Sequence, residues 1–218
     1  MNYDSVPLRD FKELNDWETV IFVYQSALKQ VETKIDILNG EFQHRHKYNP
    51  IEHVKSRIKT PESIVKKLKR HGYESSIENM VRYVNDIAVI RISCSFTSDI
   101  YLIADMISKQ NDLTILARRD YMKNPKKSGY RSYHMLVTTP VFLSDSIIDT
   151  KVEIQIRTVA QDFWATLEHK MHYKFEGDGP DYITKELREC ARYVAELDTR
   201  MEELNNEIQK YGKLSDKK

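Results

Sequence analysis

Two kinds of hydrophobic pattern divide the chain into helices and strands. Over 11–38, apolar residues recur at alternating spacings of three and four, a heptad pattern that predicts one long helix. The same rhythm returns over 182–211 and predicts a second long helix. A heptad seam is narrow and favours contact with one partner helix, so both helices are predicted to take part in an oligomer. The alternative is a helical layer that covers a sheet within one chain.

The segment 151–175 predicts a strand that leads directly into a helix. Apolar and polar residues alternate, which gives the strand one face of each kind. The apolar face consists of Val152, Ile154 and Ile156, and the polar face of Glu153, Gln155 and Arg157. Thr158 and Gln161 have the spacing of a capping box that starts a helix. This helix is predicted to bury the side formed by Val159, Phe163, Trp164, Leu167 and Met171.

The other patterns predict further helices and strands around this unit. Apolar runs predict strands over 87–96, 113–117 and 133–139. Helical patterns cover 76–83, 98–109 and 50–72, the last capped by Asn49 and interrupted by Pro61. Connections are predicted over 41–49 and 144–150, and a basic loop over 118–128. Short connections between the later strands favour antiparallel pairs, so we expect an α/β fold with a mixed β-sheet flanked by helices, in one domain over 1–218.

Composition narrows the classes of function. The 34 Lys and Arg residues nearly balance the 33 Asp and Glu residues, so no overall basic charge points to a nucleic-acid partner. The two cysteines fit no metal-ligand spacing, and no apolar run or signal-peptide layout points to a membrane. We therefore expect a cytoplasmic protein. The six glycines form neither of the common phosphate-binding loops, so any bound phosphates must be held by cationic side chains and a metal.

Two polar clusters near the predicted strands are candidates for phosphate and metal chemistry. If 50–72 is helical, Lys59, Ser63 and Lys67 share one face, although a solvated helix face has the same pattern. Asp86 stands at the mouth of a buried strand, a position at which a carboxylate can bind Mg²⁺. Strict alternation puts Asp86 and Arg91 on opposite faces, unless Asp86 precedes the strand or a bulge separates them.

A third cluster lies in the basic segment 118–134. Its lysines and arginines offer positive charge for phosphates, and Tyr130 offers an aromatic face for a base. Many exposed hairpin loops are basic for solubility alone, so the segment by itself does not decide between these interpretations.

Taken together, four segments resemble the RelA/SpoT-homology synthetases, the enzymes that make the (p)ppGpp alarmones. They read NPIEHVKSRIKTPESI (49–64), NDIAVIRISCSF (85–96), RRDYMKNPKKSGYRSYH (118–134) and VEIQIRTVAQDFWATLEHKMHYK (152–174). They occur in the family's order and spacing, and no His-Asp hydrolase signature accompanies them. The resemblance is to the small alarmone synthetases, RelP-type subgroup, and it implies a nucleotidyltransferase-like synthetase domain.

The resemblance implies a Mg²⁺-dependent transfer of the β,γ-pyrophosphate of ATP to the 3′-hydroxyl of GDP or GTP, with GMP as a further acceptor. By motif position, Glu153 and Asp86 match the catalytic and metal-binding carboxylates. Residues that match the ATP contacts are Arg57, Lys59, Ser63, Lys67 and Arg91. Residues that match the guanine-nucleotide contacts are Arg119, Lys126, Tyr130, His134 and Gln155. The family also implies a homo-oligomer, expected here to be a tetramer.

One position departs from the family pattern. Val89 stands where these enzymes usually have a glycine beside the metal site, and glycine permits a bulge or close backbone approach there. Valine would narrow the site, slow the reaction or be accommodated. Two further hypotheses for the function also stay open. One is a pyrophosphokinase that acts on the 3′ end of tRNA, and the near-neutral charge disfavours it. The other is a catalytically weakened nucleotide-binding relative, which the presence of both carboxylates disfavours.

Overall fold

A five-stranded sheet positions the residues of interest. The computed structural model describes residues 16–46, 48–174 and 181–215, except the side chains of 172–174 and 212–215. Within them the strands are β1 (Ile51–Ile58), β2 (Ala88–Cys94), β3 (Thr114–Asp120), β4 (Tyr133–Phe142) and β5 (Ile147–Thr158). The helices are α1 (Trp17–Arg45), α2 (Pro61–Arg70), α3 (Ile77–Tyr83), α4 (Thr97–Ser108), α5 (Val159–Lys174) and α6 (Asp181–Ser215).

The sheet is mixed, as predicted from the short connections. Its strand order is β1-β2-β5-β4-β3. Only the central pair, β2 and β5, is parallel, and the three other pairs are antiparallel. One face, which carries Ile90, Val137 and Ile154, belongs to a single apolar core with α1 and α4. The other face is therefore left for polar side chains.

Helix α1 begins at Trp17, where the Asp16 carboxylate caps the helix by accepting a hydrogen bond from the Thr19 amide at 2.7 Å. Residues 11–15 of the predicted helix lie outside the described residues. The helix runs to Arg45, so the connection predicted over 41–49 was wrong for its first half. Tyr24, Leu28 and Val31 of the heptad seam are buried in the apolar core. Most of this seam thus packs against the chain's own sheet.

The prediction of a helix over 50–72 was wrong for its first part, which forms strand β1. Asn49 does not cap a helix; its side-chain oxygen accepts a hydrogen bond from the Ile51 amide at 3.1 Å. The apolar residues of β1 have helix-like spacing because the register shifts between Ile51 and His53, so the regular alternation resumes only after that bulge. A helix begins at Pro61, the first position of α2, where proline is well tolerated.

The junction between β5 and α5 matches the predicted capping box. The Thr158 hydroxyl accepts from the Gln161 amide at 3.1 Å, and the Gln161 side-chain oxygen accepts from the Thr158 amide at 3.2 Å. The predicted buried side of α5 was right for Trp164 and wrong for Val159, Phe163 and Leu167, which are exposed. Trp164 is buried and donates its indole N–H to the Leu187 carbonyl of α6 at 2.9 Å, whereas Phe163 is 64% exposed. Trp164 and Ala165, and not an apolar stripe, pack α5 against Ala191 of α6.

Three other boundaries differ from the predictions. Strand β5 begins at Ile147, inside the connection predicted over 144–150, because it forms a long hairpin with β4. Strand β3 continues through Asp120, so the first residues of the predicted basic loop are strand. Asp86 precedes β2, which confirms the first of the two explanations for its relation to Arg91. No helix among the described residues is both long enough and apolar enough to cross a membrane.

Candidate active site

Two rows of side chains cross the polar face of the sheet. Residues paired in register project to the same face. One row, from β1 to β3, is Arg57, Val89, Glu153, Leu136 and Ala117. The next row is Lys55, Arg91, Gln155, His134 and Arg119. The strand order thus brings six predicted site residues from four segments of sequence onto one surface.

The Glu153 carboxylate lies near the centre of this surface and has a neighbour on each side. Gln155 Nε2 donates to Glu153 Oε2 at 2.9 Å, and His134 Nδ1 lies 3.3 Å from Glu153 Oε1. Burial raises the pKa of Glu153, but the hydrogen bonds from His134 and Gln155 outweigh it, so the pKa falls below its ordinary value. The carboxylate is therefore ionised at neutral pH and is held in a fixed orientation.

The contacts continue from Glu153 toward both predicted nucleotide sites. Arg91 Nε donates to Gln155 Oε1 at 3.3 Å, which links an ATP-site candidate to the carboxylate. On the other side, His134 Nε2 lies 2.9 Å from the Tyr130 hydroxyl, a guanine-site candidate. Burial and the positive charges of Arg157 and Arg57 lower the pKa of Arg91, so several cations crowd this end of the sheet. Such a concentration of positive charge suits a polyphosphate ligand.

Asp86 forms a second carboxylate centre next to the first. Lys59 Nζ lies 2.9 Å from Asp86 Oδ2, and Lys67 Nζ lies 2.7 Å from Oδ1. Burial raises the pKa of Asp86, but the hydrogen bonds from Lys67 and Lys59 outweigh it and lower the pKa to about 2. The negative charge of Asp86 slightly opposes the lowering of the Glu153 pKa, so the two carboxylates interact.

The prediction that Lys59, Ser63 and Lys67 share one helix face was wrong, although Lys59 and Lys67 do meet at Asp86. Lys59 follows strand β1, whereas Ser63 and Lys67 lie on α2. Thr60 caps α2 by accepting a hydrogen bond from the Ser63 amide at 3.3 Å, and this cap turns the chain so that both lysines reach Asp86. Ser63 itself is exposed at the start of the helix.

The basic segment forms an aromatic corner above the second row. The rings of Tyr121, Tyr130 and His134 meet edge to face, with centroids 5.1–6.2 Å apart. Lys126 Nζ lies 4.9 Å from the centroid of the Tyr121 ring and 4.7 Å from that of Tyr130. Gly129 adopts a φ of 91°, and a Cβ placed there would meet Ala191 Cβ of α6 at 2.5 Å. Helix α6 thus packs closely against the loop that carries Tyr130.

A cavity of about 460 Å³ opens beside this corner. The predicted residues that line it are Arg91, Lys126, Tyr130, His134 and Gln155. Residues that were not among the predicted nucleotide contacts also line it, namely Ser128, Arg157, Ala165, Thr166, Glu168, His169 and Lys170. Its size and its lining of aromatic rings among charged groups fit a nucleotide base and sugar.

Sequence reasoning missed two buried pairs. Arg157 is 3% exposed, and its NH2 nitrogen lies 2.6 Å from Asp162 Oδ1. Lys151 is 2% exposed and donates to Asn85 Oδ1 at 2.7 Å. Burial, together with the charge of Lys67, lowers the pKa of Lys151 to about 8. The alternation along β5 puts Lys151 on the same face as Glu153, and this signal could have found it.

The two carboxylates fit a Mg²⁺ site that is completed by substrate. Among the described residues, no group of three or more His, Cys, Asp or Glu side chains is arranged to hold a metal ion. Mg²⁺ is commonly bound through one or two carboxylates, with phosphates and water supplying the other ligands. Asp86 and Glu153 provide that donor set. Lys59 and Lys67 balance the charge of the Asp86 carboxylate.

A polar sheet face that carries two carboxylates among cations suits the binding of phosphates. The profile "Region found in RelA / SpoT proteins" matches residues 56–178. GTP pyrophosphokinase YwaC of Bacillus subtilis is 44% identical, over 89% of this chain and 93% of the relative. GTP pyrophosphokinase YjbM of the same organism is 35% identical, over 88% of this chain and 90% of the relative. The chain belongs to the RelA/SpoT family, which confirms the resemblance seen in the sequence.

The solved structure of small alarmone synthetase 1 from Bacillus subtilis, bound to its product pppGpp, has the same fold. Its TM-score is 0.83 at 34% identity, and the match covers 88% of this chain and 98% of that chain. The predicted mixed sheet with flanking helices is thus the architecture of a small alarmone synthetase.

Proposed function

We propose that the protein is a GTP pyrophosphokinase that makes (p)ppGpp. It transfers the β,γ-pyrophosphate of ATP to the 3′-hydroxyl of GDP or GTP and releases AMP. The observation that carries this proposal is the ionised Glu153 carboxylate, held by Gln155 and His134 between the two groups of nucleotide-site residues. Two relatives named GTP pyrophosphokinase and a structural neighbour bound to pppGpp support the same reaction. Another neighbour is bound to AMPCPP.

Glu153 orients the acceptor 3′-hydroxyl and accepts its proton. The hydroxyl oxygen forms a bond to the β-phosphorus of ATP, the bond from that phosphorus to the α-β bridging oxygen breaks, and AMP leaves with that oxygen. The proton passes to the Glu153 carboxylate and then to solvent. Because the pKa of Glu153 is low, its main contribution is to fix the hydroxyl in line for attack, and proton transfer accompanies bond formation.

The ATP side of the site consists of cations that are already in place. Lys59, Ser63 and Lys67 contact the triphosphate, and Arg57 and Arg91 hold the adenine between them. Lys59 and Lys67 now pair with Asp86 on opposite oxygens of its carboxylate. Phosphate oxygens offer the same kind of charge-assisted contact, so both ammonium groups can reach substrate with little movement.

The acceptor nucleotide occupies the cavity beside the aromatic corner. Tyr130 stacks on guanine, a contact that depends on the π face of the ring. Arg119, Lys126, His134 and Gln155 contact the rest of the nucleotide. The Tyr130 hydroxyl lies 2.9 Å from His134 Nε2, so the residue beneath the base is connected to the residue beside Glu153.

Asp86 and Glu153 would hold Mg²⁺ together with the phosphates of ATP. The bound ion would neutralise charge on the triphosphate as the pyrophosphoryl group moves. Their roles, like those of the other site residues, follow from motif position and from the contacts described above.

The exposed side of α6 supports a homo-oligomer, which we propose to be a tetramer. The C-terminal half of the heptad seam is solvent-exposed in the single chain, at Leu197, Met201, Leu204, Ile208 and Tyr211. Apolar residues at this spacing on a long helix are typical of a surface that another helix covers. The seam of α1 is largely buried in its own chain, so its use between chains stays a prediction. Light scattering at several protein concentrations measures the oligomer number.

We further propose that residues 1–218 act as one synthetase domain in the cytoplasm, and the RelP-type assignment stays a prediction. The reaction itself is tested by incubating the purified protein with Mg²⁺, ATP and GDP and separating the nucleotides by anion exchange. AMP and ppGpp in a ratio of one to one support the proposal. No product with GDP, GTP or GMP contradicts it, and deacylated tRNA is then the next acceptor to test.

A further inference from the structure

Asn85 and Lys151 form a buried pair beside Glu153 that the proposed mechanism does not use. Lys151 Nζ lies 2.7 Å from Asn85 Oδ1 and 3.4 Å from the carbonyl oxygen of Arg82. Arg82 lies in the last turn of α3, where helix carbonyl groups have no partner within the helix. Lys151 therefore connects strand β5 to the end of α3 and to the residue immediately before Asp86.

The chemistry of the pair fixes the orientation of the Asn85 amide. An ammonium group has three donors and no acceptor, so it contacts the carbonyl oxygen of an amide and not the NH2 group. Asn85 Oδ1 accordingly faces Lys151. Because the two ends of a planar amide point in different directions, its NH2 group is directed away from Lys151.

Asn85 also lines a small cavity of about 50 Å³ next to Glu153. The other residues that line it are Ala117, Arg119, His134, Leu136 and Glu153. Lys151 is not among them, so Asn85 stands between the buried ammonium group and the cavity. A cavity of this volume has room for a few small polar groups. With Oδ1 engaged by Lys151, the NH2 group of Asn85 is the donor left for whatever enters.

We propose that Asn85 is a substrate-contacting residue and that Lys151 is its positioning residue. The Asn85 NH2 group donates to a phosphate oxygen of the acceptor nucleotide, whose other contacts in this cavity are Arg119 and His134. Lys151 holds the amide so that a donor, and not an acceptor, faces that phosphate. The inference rests on the proposed function and adds a residue to its acceptor site.

Steady-state AMP release, with GDP varied at saturating ATP and ATP varied at saturating GDP, tests the role of Asn85. Loss of one hydrogen bond to a charged phosphate is expected to raise the KM for GDP about ten- to hundredfold in Asn85→Ala, with the KM for ATP unchanged. Asn85→Asp should raise it at least as much, since it turns an anion toward the phosphate. Asn79→Ala is the matched control: Asn79 also lies on this part of the chain, and its amide donates to Glu74 O at 3.0 Å, away from the cavity.

A double-mutant comparison tests Lys151. Lys151→Met should raise the KM for GDP in the same direction, and Lys151→Arg, which keeps the donors, should restore it in large part. If Lys151 acts through Asn85, adding Lys151→Met to Asn85→Ala changes the KM for GDP less than twofold, whereas independent effects of the two substitutions would multiply. Thermal unfolding of each variant reports the folded fraction separately.

The inference is overturned if both Asn85 variants keep the KM for GDP within twofold of wild type, or raise the KM for ATP instead. Calorimetric binding of GDP to wild type and Asn85→Ala keeps the test independent of turnover. If the wild type binds GDP but releases no AMP, the proposed function fails while the Asn85 contact is still measured. Equal GDP affinity of the two proteins contradicts the contact directly.

Discussion

His134 lies between Glu153 and Tyr130 and contacts both through different ring nitrogens. Its Nδ1 is 3.3 Å from Glu153 Oε1, and its Nε2 is 2.9 Å from the Tyr130 hydroxyl. The side chain proposed to stack on guanine is thus two contacts away from the carboxylate proposed to orient the 3′-hydroxyl. Binding of the base can therefore influence the orientation of Glu153 without movement of the strands.

Tyr130→Phe separates stacking from this contact. The variant keeps the aromatic face and removes the hydroxyl, so we expect the KM for GDP to stay near the wild-type value while kcat falls about three- to tenfold, the effect of one neutral hydrogen bond. Tyr130→Ala, which removes the ring as well, should raise the KM for GDP strongly. Equal kcat values for Tyr130→Phe and wild type would show that the contact with His134 does not matter for turnover.

The lowered pKa of Asp86 predicts that the stability of the protein falls at low pH. Its pKa is about 2 in the folded protein and 3.8 in the reference state, so the ionised form favours folding. This contribution is fully present above pH about 4 and is lost as the pH falls toward 2. The shift corresponds to about 2 kcal/mol in the free energy of unfolding.

Urea unfolding of wild type and Asp86→Asn without metal, from pH 6 down to pH 2, measures this contribution. We expect the wild type to be the more stable at pH 6 and the difference to shrink between pH 4 and pH 2. A difference that is constant over this range would mean that Lys59 and Lys67 do not stabilise the ionised carboxylate in solution.

The close approach of Gly129 to Ala191 predicts that α6 positions the loop that carries Tyr130. In Gly129→Ala, a φ of 91° and the approach of the new Cβ to Ala191 Cβ should cost about 1–2 kcal/mol of stability and displace the Tyr130 loop. The KM for GDP should rise more than the KM for ATP. Adding Ala191→Gly removes the contact but not the backbone strain, so it should recover part of the loss. Gly72→Ala, at a φ of 78° but with open space around it, is a control for the strain alone.

Substitution of Val89 tests whether this valine, which replaces the usual glycine of the family, narrows the site. It is fully buried on the site face, between Arg57 and Glu153 in register, and Glu153 keeps its contacts with Gln155 and His134 beside it. We expect Val89→Ala to lower the free energy of unfolding by about 2 kcal/mol and to leave kcat within about threefold of wild type. A tenfold higher kcat would instead show that the valine narrows the site.

The parts of the fold that sequence patterns predicted correctly are those in which local and tertiary preferences agree. The alternation of β5 and the capping box at Thr158 are both local signals, and they place Glu153 and Gln155 on the polar face. Strand β1 was mistaken for a helix because it is an edge strand with few buried residues and a bulge that breaks its alternation. A single sequence gives little sign of such a bulge.

Motif position predicted which residues form the candidate site. It did not predict which of their side chains contact one another. Lys59 and Lys67 were expected to bind phosphates, yet their shared contact with Asp86 depends on the turn at Thr60. Lys151 and Asn85 come from distant segments, and their contact depends on the pairing of β5 with β2. The buried side of α5 was predicted wrongly because Phe163, which fits the helical spacing, is exposed.

The most direct test of the central claim is the rate of AMP and ppGpp formation by Glu153→Gln, measured beside wild type with Mg²⁺, ATP and GDP. Glutamine keeps the size of the side chain and removes its charge. We predict that turnover is abolished while ATP binding, measured by calorimetry with a non-hydrolysable analogue, stays within about threefold of wild type. Wild-type rates in Glu153→Gln would contradict the account and remove this carboxylate from the mechanism.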